Sequence, residues 1–439
     1  MPDIVLKMKA SSLKVPGIEY KQTLEGISEY VLTKNGLRIL LVPDSATSVA
    51  GCMVTYHVGS RNEATGYTGA THLLEHLMFK GSKKFIKNKG TGMDALLENR
   101  GALLNATTWF DRTNYYEVVP SESLSLAIEI EGDRMRTATF TKKDKEDEMP
   151  VVRNEFERGE NHPMEALDKA VWQAAFVAHP YHHSTIGWRS DIENVSIERL
   201  REFYNDFYWP NNATVTIAGN FDTKKTLELI KKYFGIHTKS PKPFPPLYTQ
   251  EPKQEGERRV LVKRVGTDMI CVAHKIPNAH HADMPALVML ASIMSEDKTS
   301  RLYKTFVDKA LATNVTVYPY QLHDDALFLT FITLTEKLAH EKAEKLLKEE
   351  YSKIATTGVS ALEIKQAKIL ARSSTAERRD GAYALLSSLN EEIATGDWKR
   401  FVSFPKAYQK VTSKDIMHVA KKYFLDDMST IGYFKNTPS

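Results

Sequence analysis

One half of this chain repeats the other. Val195-Ser196-Ile197-Glu198-Arg199-Leu200 leads through Phe203, Phe207 and Tyr208 into Ala213-Thr214-Val215-Thr216-Ile217-Ala218-Gly219. Val411-Thr412-Ser413-Lys414-Asp415-Ile416 leads in the same order through Val419, Tyr423 and Phe424 into Ser429-Thr430-Ile431-Gly432-Tyr433. Val195 and Val411, like Ala213 and Ser429, stand 216 residues apart, without a gap. In each copy Ser196 or Thr412 is a good N-cap, an amphipathic helix follows, and a β-branched strand closes the unit. A helix–strand unit at the end of each half points to duplication of a whole domain.

A chain of 439 residues also exceeds what one hydrophobic core usually serves. The segment Lys239-Ser240-Pro241-Lys242-Pro243-Phe244-Pro245-Pro246 is proline-dense, and 250–257 is charged and apolar-poor, so both read as linker. The expected division is 1–238 as the first domain, 239–256 as linker and 257–439 as the second, homologous domain. Ile39–Val42, Val49–His57, Arg259–Val265, Met269–His274 and Leu327–Thr335 read as strands. Leu124–Thr137, Ser196–Asn205, Ala286–Ser295, Leu338–Thr356 and Ala361–Leu389 read as helices. This predicts an α+β fold: two domains, each a largely antiparallel sheet with helices covering one face.

The second informative feature is His72-Leu73-Leu74-Glu75-His76. Histidines four apart lie one helical turn above each other, so both imidazoles can reach a single Zn²⁺. Glu75 shares nearly the same face, close to such a metal but free to act on its water. Leu73, Leu74, Leu77, Met78 and Phe79 would pack the helix down. The plainer reading of a histidine pair is a hydrogen-bonded core feature. A second acidic helix downstream favours a metal: in the run from Asp144 to Glu157, Glu148 and Glu155 are seven apart and share a face.

The wider segment Gly66-Tyr67-Thr68-Gly69-Ala70-Thr71, continuing through the histidines to Leu77-Met78-Phe79-Lys80-Gly81, resembles the inverted zinc motif of the pitrilysin–insulinase metallopeptidases, the inverzincins. Gly101 to Thr108 with Asp111, Thr113 and Tyr115 is similar to the family's edge strand beside the metal. His179-Pro180-Tyr181 with Gly187, and Tyr208-Trp209-Pro210-Asn211-Asn212-Ala213, also resemble its first domain. The resemblance implies a fold of the mitochondrial-processing-peptidase type. It implies His72, His76 and Glu155 as zinc ligands, Glu75 as catalytic base and Glu148 as a supporting carboxylate. Ala102, Asn105, Ala106 and Thr107 would lie along an extended substrate. Two departures stand out. Pro150 interrupts the acidic helix and predicts a kink there, leaving Glu146 or Glu157 as alternatives to Glu148. In the second domain, Val307 and Asn314 occupy the positions where active members usually carry a substrate-gripping arginine and tyrosine; Arg301 and Tyr303 match an earlier part of that motif.

The expected activity is a zinc-dependent endopeptidase acting on short or unfolded polypeptides. The missing pair makes the chain the metal-bearing subunit of a hetero-oligomer whose homologous partner supplies an Arg/Tyr pair, with a homodimer as the near variant. The alternative is a non-catalytic family member serving as a binding or assembly scaffold. Nucleic acid is excluded as a partner, because 59 basic and 55 acidic residues are interspersed for a net +4. The lysine run Lys80–Lys89 reads as a solvated loop or a contact for acidic peptides. No apolar run is long enough to span a membrane. The compartment is open: cytoplasmic on this sequence, periplasmic if a leader was removed. Cys52 and Cys271 read as buried thiols, His162, His179, His182 and His183 as surface or supporting residues, and His280-His281 as a loop.

Overall fold

The computed structural model describes residues 13–87 and 90–437. The first dozen residues, Asn88 and Lys89 of the lysine run, and the last two residues lie outside them.

Two sheets organise the chain. Seven strands form the first: β1 (Ile18–Leu24), β2 (Ile27–Leu32), β3 (Leu37–Pro43), β4 (Val49–Tyr56), β5 (Leu103–Thr108), β6 (Thr113–Pro120) and β7 (Ala213–Gly219). Their spatial order is β1-β2-β3-β7-β4-β6-β5, antiparallel except where β3 meets β7. The second sheet contains β8 (Arg258–Arg264), β9 (Met269–Ile276), β10 (Ala312–Pro319), β11 (Ala326–Leu334) and β12 (Ser429–Asn436), ordered β10-β11-β9-β12-β8. Only β12 and β8 pair in parallel. The expected α+β class, with two largely antiparallel sheets under helices, is what the chain adopts.

The compact units do not follow chain order. The first comprises the described residues up to Arg153 with Thr185–Tyr248 and Ala376–Val402; the second comprises Asn154–Ser184, Thr249–Thr375 and Ser403 onward. The chain-order division at 239–256 therefore stands as a proposal about the duplicated segments, distinct from these packed bodies.

One expected helix is two. Ala361–Leu389 breaks into Ala361–Glu377 and Gly381–Ala394, because Gly381 adopts φ +86°. The second piece packs in the first unit. Leu385, Leu386, Leu389 and Ile393 join Leu40, Met53, Tyr116 and Ala218 in one buried cluster. A Cβ on Gly51 would stand 2.4 Å from Leu386 Cδ1, so the helix rests directly on the β4 backbone. Thr55 donates to Asn390 Oδ1 at 2.8 Å on the same face. Tyr56 points the other way, into a Tyr115–Tyr208 cluster. The expectation of helices on one face is thus corrected for this sheet. Val49–Tyr56 is buried almost throughout, the pattern of a strand covered on both sides. In the second unit, helix Pro163–Ala175 approaches β12 in the same manner, Val171 Cγ2 lying 2.6 Å from a Cβ built on Gly432.

Candidate metal centre

The helix Ala70–Leu77 carries His72, Glu75 and His76 against a wholly buried backing of Leu73, Leu74 and Leu77. Its start is tightly held. The buried Glu63 carboxylate accepts hydrogen bonds from the backbone N–H groups of Gly69 and Thr71, both at 2.7 Å, satisfying donors that a first turn leaves open. Burial pushes the Glu63 carboxyl up to about 8, although the bonds from Thr71 and Gly69 act in the opposite direction. Asp191 binds the preceding loop through the N–H groups of Gly66 and Thr68 and the Thr68 hydroxyl. Gly69 adopts φ +81°, and a Cβ there would stand 2.3 Å from the Ile186 carbonyl oxygen, so the loop admits only glycine at that point.

The second acidic helix runs from Lys142 to Asn161 with Pro150 inside it. It continues through the proline, and Glu148 reaches the histidine helix. One Glu148 oxygen lies 2.9 Å from His76 Nδ1, and the other accepts a hydrogen bond from Lys80 Nζ. Burial would raise the Glu148 pKa, but the hydrogen bonds from Lys80 and His76 outweigh it and hold the carboxyl below its ordinary value. The alternatives, Glu146 and Glu157, are both exposed. The same helix carries Glu155 two turns beyond Glu148.

His72 Nε2 and His76 Nε2 lie 3.4 Å apart. Among the described residues, His72, His76 and Glu155 form the one group of three side chains suited to a metal, with ligand atoms all within 4.8 Å of one another. Two zinc bonds of roughly 2.0–2.1 Å at a tetrahedral angle separate their nitrogens by about 3.3 Å. The donor set, two imidazoles and a carboxylate, therefore fits Zn²⁺ in chemistry and in spacing.

Glu75 is 8 % exposed and accepts a hydrogen bond from the Thr108 hydroxyl at the end of β5. Among the described residues that strand closes one edge of the first sheet, paired with β6 alone. Ala102 precedes it. Asn105 and Thr107 are exposed, while Ala106 is buried. Thr107 donates to Asn114 Oδ1 at 2.5 Å and accepts from Arg112 at 2.7 Å. Sequence reasoning assigned no site role to Thr108, Glu63 or Lys80. The signal for Lys80 was its spacing of four from His76, which the surrounding lysines masked by suggesting a solvated loop. Lys84 fits that loop reading, 57 % exposed and paired with Glu129.

The other histidines fill structural places. His162 caps helix Pro163–Ala175, accepting from the Glu165 N–H. His179 and His183 are buried, which corrects a surface reading for them; His179 Nε2 lies 3.0 Å from Asp324 while its Nδ1 accepts from the Tyr181 N–H. Arg301 is paired with Glu363 at 2.6 Å. Val307 packs against the second core, and Asn314 lies exposed on β10 with its amide on Thr316. Both cysteines are buried and free. No described helix is long and apolar enough to cross a membrane.

Comparison with known proteins gives this arrangement its context. The profile described as "Insulinase (Peptidase family M16)" matches residues 38–188, and that described as "Peptidase M16 inactive domain" matches 194–370. The chain belongs to this family, the pitrilysin–insulinase metallopeptidases. It is 29 % identical over 413 residues to the zinc protease PqqE of Helicobacter pylori, covering 93 % of this chain and 92 % of that one. It is 25 % identical over 429 residues to the mitochondrial-processing peptidase subunit beta of Blastocladiella emersonii, covering 95 % and 90 %. A solved protease from Helicobacter pylori shares the fold with a TM-score of 0.90 at 28 % identity, over 94 % of this chain and all of that one.

Proposed function

We propose that the chain is a zinc-dependent endopeptidase acting on short or unfolded polypeptides. The observation that carries this reading is the 3.4 Å approach of His72 Nε2 to His76 Nε2, with a Glu155 oxygen within 4.8 Å. His72, His76 and Glu155 would hold the ion. Bound there, Zn²⁺ would supply Lewis acidity toward the scissile carbonyl and a water of near-neutral pKa.

The remaining steps belong to the chain's own side chains. His76 would donate its Nδ1–H to the Glu148 carboxylate, which leaves Nε2 with its lone pair for a ligand role. Lys80 orients Glu148. Glu75 would take a proton from the attacking water and deliver it to the leaving amine, with the Thr108 hydroxyl fixing its carboxylate. The edge of β5 would accept an extended peptide as an added strand, along Ala102, Asn105, Ala106 and Thr107. Recognition through backbone groups tolerates many sequences and requires an unfolded segment.

Val307 and Asn314 stand where family members usually grip the substrate with arginine and tyrosine. The chain is accordingly proposed as the metal-bearing subunit of a hetero-oligomer, with a homologous partner supplying that pair; a homodimer is the near variant. The likeness to a protein named as a peptidase subunit supports this. Peptide cleavage is measured for the chain alone, for a candidate homologous partner alone, and for the mixture. Cleavage that needs both chains and disappears with a chelator is expected; full cleavage by this chain unchanged by the partner contradicts the hetero-oligomer, and chelator-resistant cleavage contradicts the zinc reading.

A further inference from the structure

Two pairs of helices at corresponding places in the repeat frame clefts of opposite character. Leu124–Thr137 and His340–Thr357 begin 216 residues apart, as do Ile197–Phe207 and Ser413–Tyr423, and the turns Pro210–Asn212 and Asp426–Met428. Burial keeps that register: Ala127, Glu131, Arg134 and Met135 are buried in the first helix, and Ala343, Leu347, Glu350 and Tyr351 in its counterpart.

In the first unit an arginine closes the cleft. Arg136 donates to the carbonyl oxygens of Tyr208 at 2.8 Å and Tyr204 at 3.4 Å, and to Asn205 Oδ1 at 2.9 Å. Its guanidinium carbon lies 3.6 Å from the centroid of the Trp209 ring and 4.8 Å from that of Tyr204. A planar cation between aromatic faces and the carbonyl end of a helix is held by cation–π attraction and by the helix dipole together.

In the second unit the same three places, 216 residues on, hold Ser352, Ala420 and Leu425. All three are smaller than Arg136, Tyr204 and Trp209. The cleft is open there, a cavity of about 720 Å³ lined by these residues with Tyr351, Phe424 and His274. That is the size of a site for a small ligand or a large side chain.

We propose that this cavity receives the guanidinium of an arginine side chain carried by a bound polypeptide, replacing the group that Arg136 provides internally in the first unit. Phe424 follows the helix as Tyr208 does and offers an aromatic face, and the carbonyl groups of Ala420 and Phe424 correspond to those that Arg136 binds. Among the described residues, no side chain donates to either carbonyl. The lining carries four carboxylates against three lysines. One of these, Lys348, is engaged by Glu257 and by two of those carboxylates, Glu344 and Asp426, and Glu344 is also held by Arg259, which leaves Glu341 and Glu349 beside Lys345 and Lys421. His274 is 4 % exposed, and its Nδ1 has no hydrogen-bond partner among the described residues. Burial holds that ring neutral, at about 3, so it adds no competing positive charge and can accept an N–H.

The test uses N-acetyl-arginine amide, its uncharged citrulline counterpart and N-acetyl-lysine amide. Each is titrated into the full-length protein while the methyl resonances of Ala355 and Ala420 are followed by NMR. The arginine compound is expected to shift both signals saturably in the millimolar range, at least about tenfold more tightly than either control. Ser352→Arg, which restores the first unit's residue, is expected to abolish the response, and Ala420→Tyr to do the same should the first variant fold poorly. Absence of saturable shifts, equal binding of citrulline or lysine, or a response that survives in the folded variants would overturn the proposal.

Discussion

The Glu148 carboxylate meets His76 Nδ1 at 2.9 Å across 72 residues of sequence. Its other oxygen is held by Lys80, so a lysine one turn beyond the motif steadies a histidine within it. A carboxylate on the far nitrogen of a liganding imidazole fixes ring and tautomer, and its loss typically costs 10–100-fold in metal affinity, by order of magnitude about 1–3 kcal/mol. Glu148→Ala is therefore expected to weaken zinc binding by roughly that factor, and Lys80→Met by less. Competition against a chelator of known zinc affinity measures both; unchanged affinity in Glu148→Ala removes Glu148 from the site.

Thr108 ties the proposed base to the edge strand. A hydrogen bond to a charged group contributes roughly 1.5–3 kcal/mol. Thr108→Val, which keeps the branched shape, is expected to lower kcat by about tenfold or more while leaving zinc content intact. Steady-state kinetics beside metal analysis separates this from a folding defect, since a merely structural threonine would change stability and leave kcat alone.

Much of this geometry was legible in the residues. Four-residue spacing of His72 and His76, with Glu75 between them, determines which helix face they share, and the seven-residue step from Glu148 to Glu155 does the same on the second helix. The meeting of the two helices rested on family likeness, because no local pattern says which distant faces converge. Pro150 removes one hydrogen bond, yet helix Lys142–Asn161 continues through it, with Met149 and Val152 buried on either side and Glu148 reaching His76. The break at Gly381 was hidden by helix-favouring residues on either side, and with it the crossing of Gly381–Ala394 into the other compact unit. Apolar periodicity identifies the face a helix buries; it does not say which sheet the face will cover.

His274 makes stability depend on pH. Its ring is enclosed against Tyr351 and Phe424, and burial lowers its pKa from 6.5 to about 3. The folded state binds the neutral ring, whereas the unfolded chain takes up a proton below about pH 6.5. The contribution is thus complete above pH 6.5 and is lost progressively as pH falls toward 3, by on the order of 4 kcal/mol. Denaturant melts across this range should show a slope that His274→Phe removes; an identical slope in the variant would show that other groups carry it.

Gly69 controls the entry to the histidine helix. With φ +81° and the Ile186 carbonyl 2.3 Å from any Cβ, alanine there must displace backbone. Strain and steric conflict of this kind cost a few kcal/mol, about 2–4. Gly69→Ala is expected to lower the melting temperature and zinc affinity together. Retention of both would mean that the loop relaxes without moving His72.

The most direct measurement is zinc content and peptide hydrolysis of the wild type beside Glu75→Gln, with anomalous diffraction at the zinc edge locating the ion. One zinc per chain in both proteins, bounded by His72, His76 and Glu155, with hydrolysis lost by about a thousandfold only in the variant, is the expected result. A metal peak elsewhere, no zinc under saturating conditions, or undiminished hydrolysis by Glu75→Gln would contradict it.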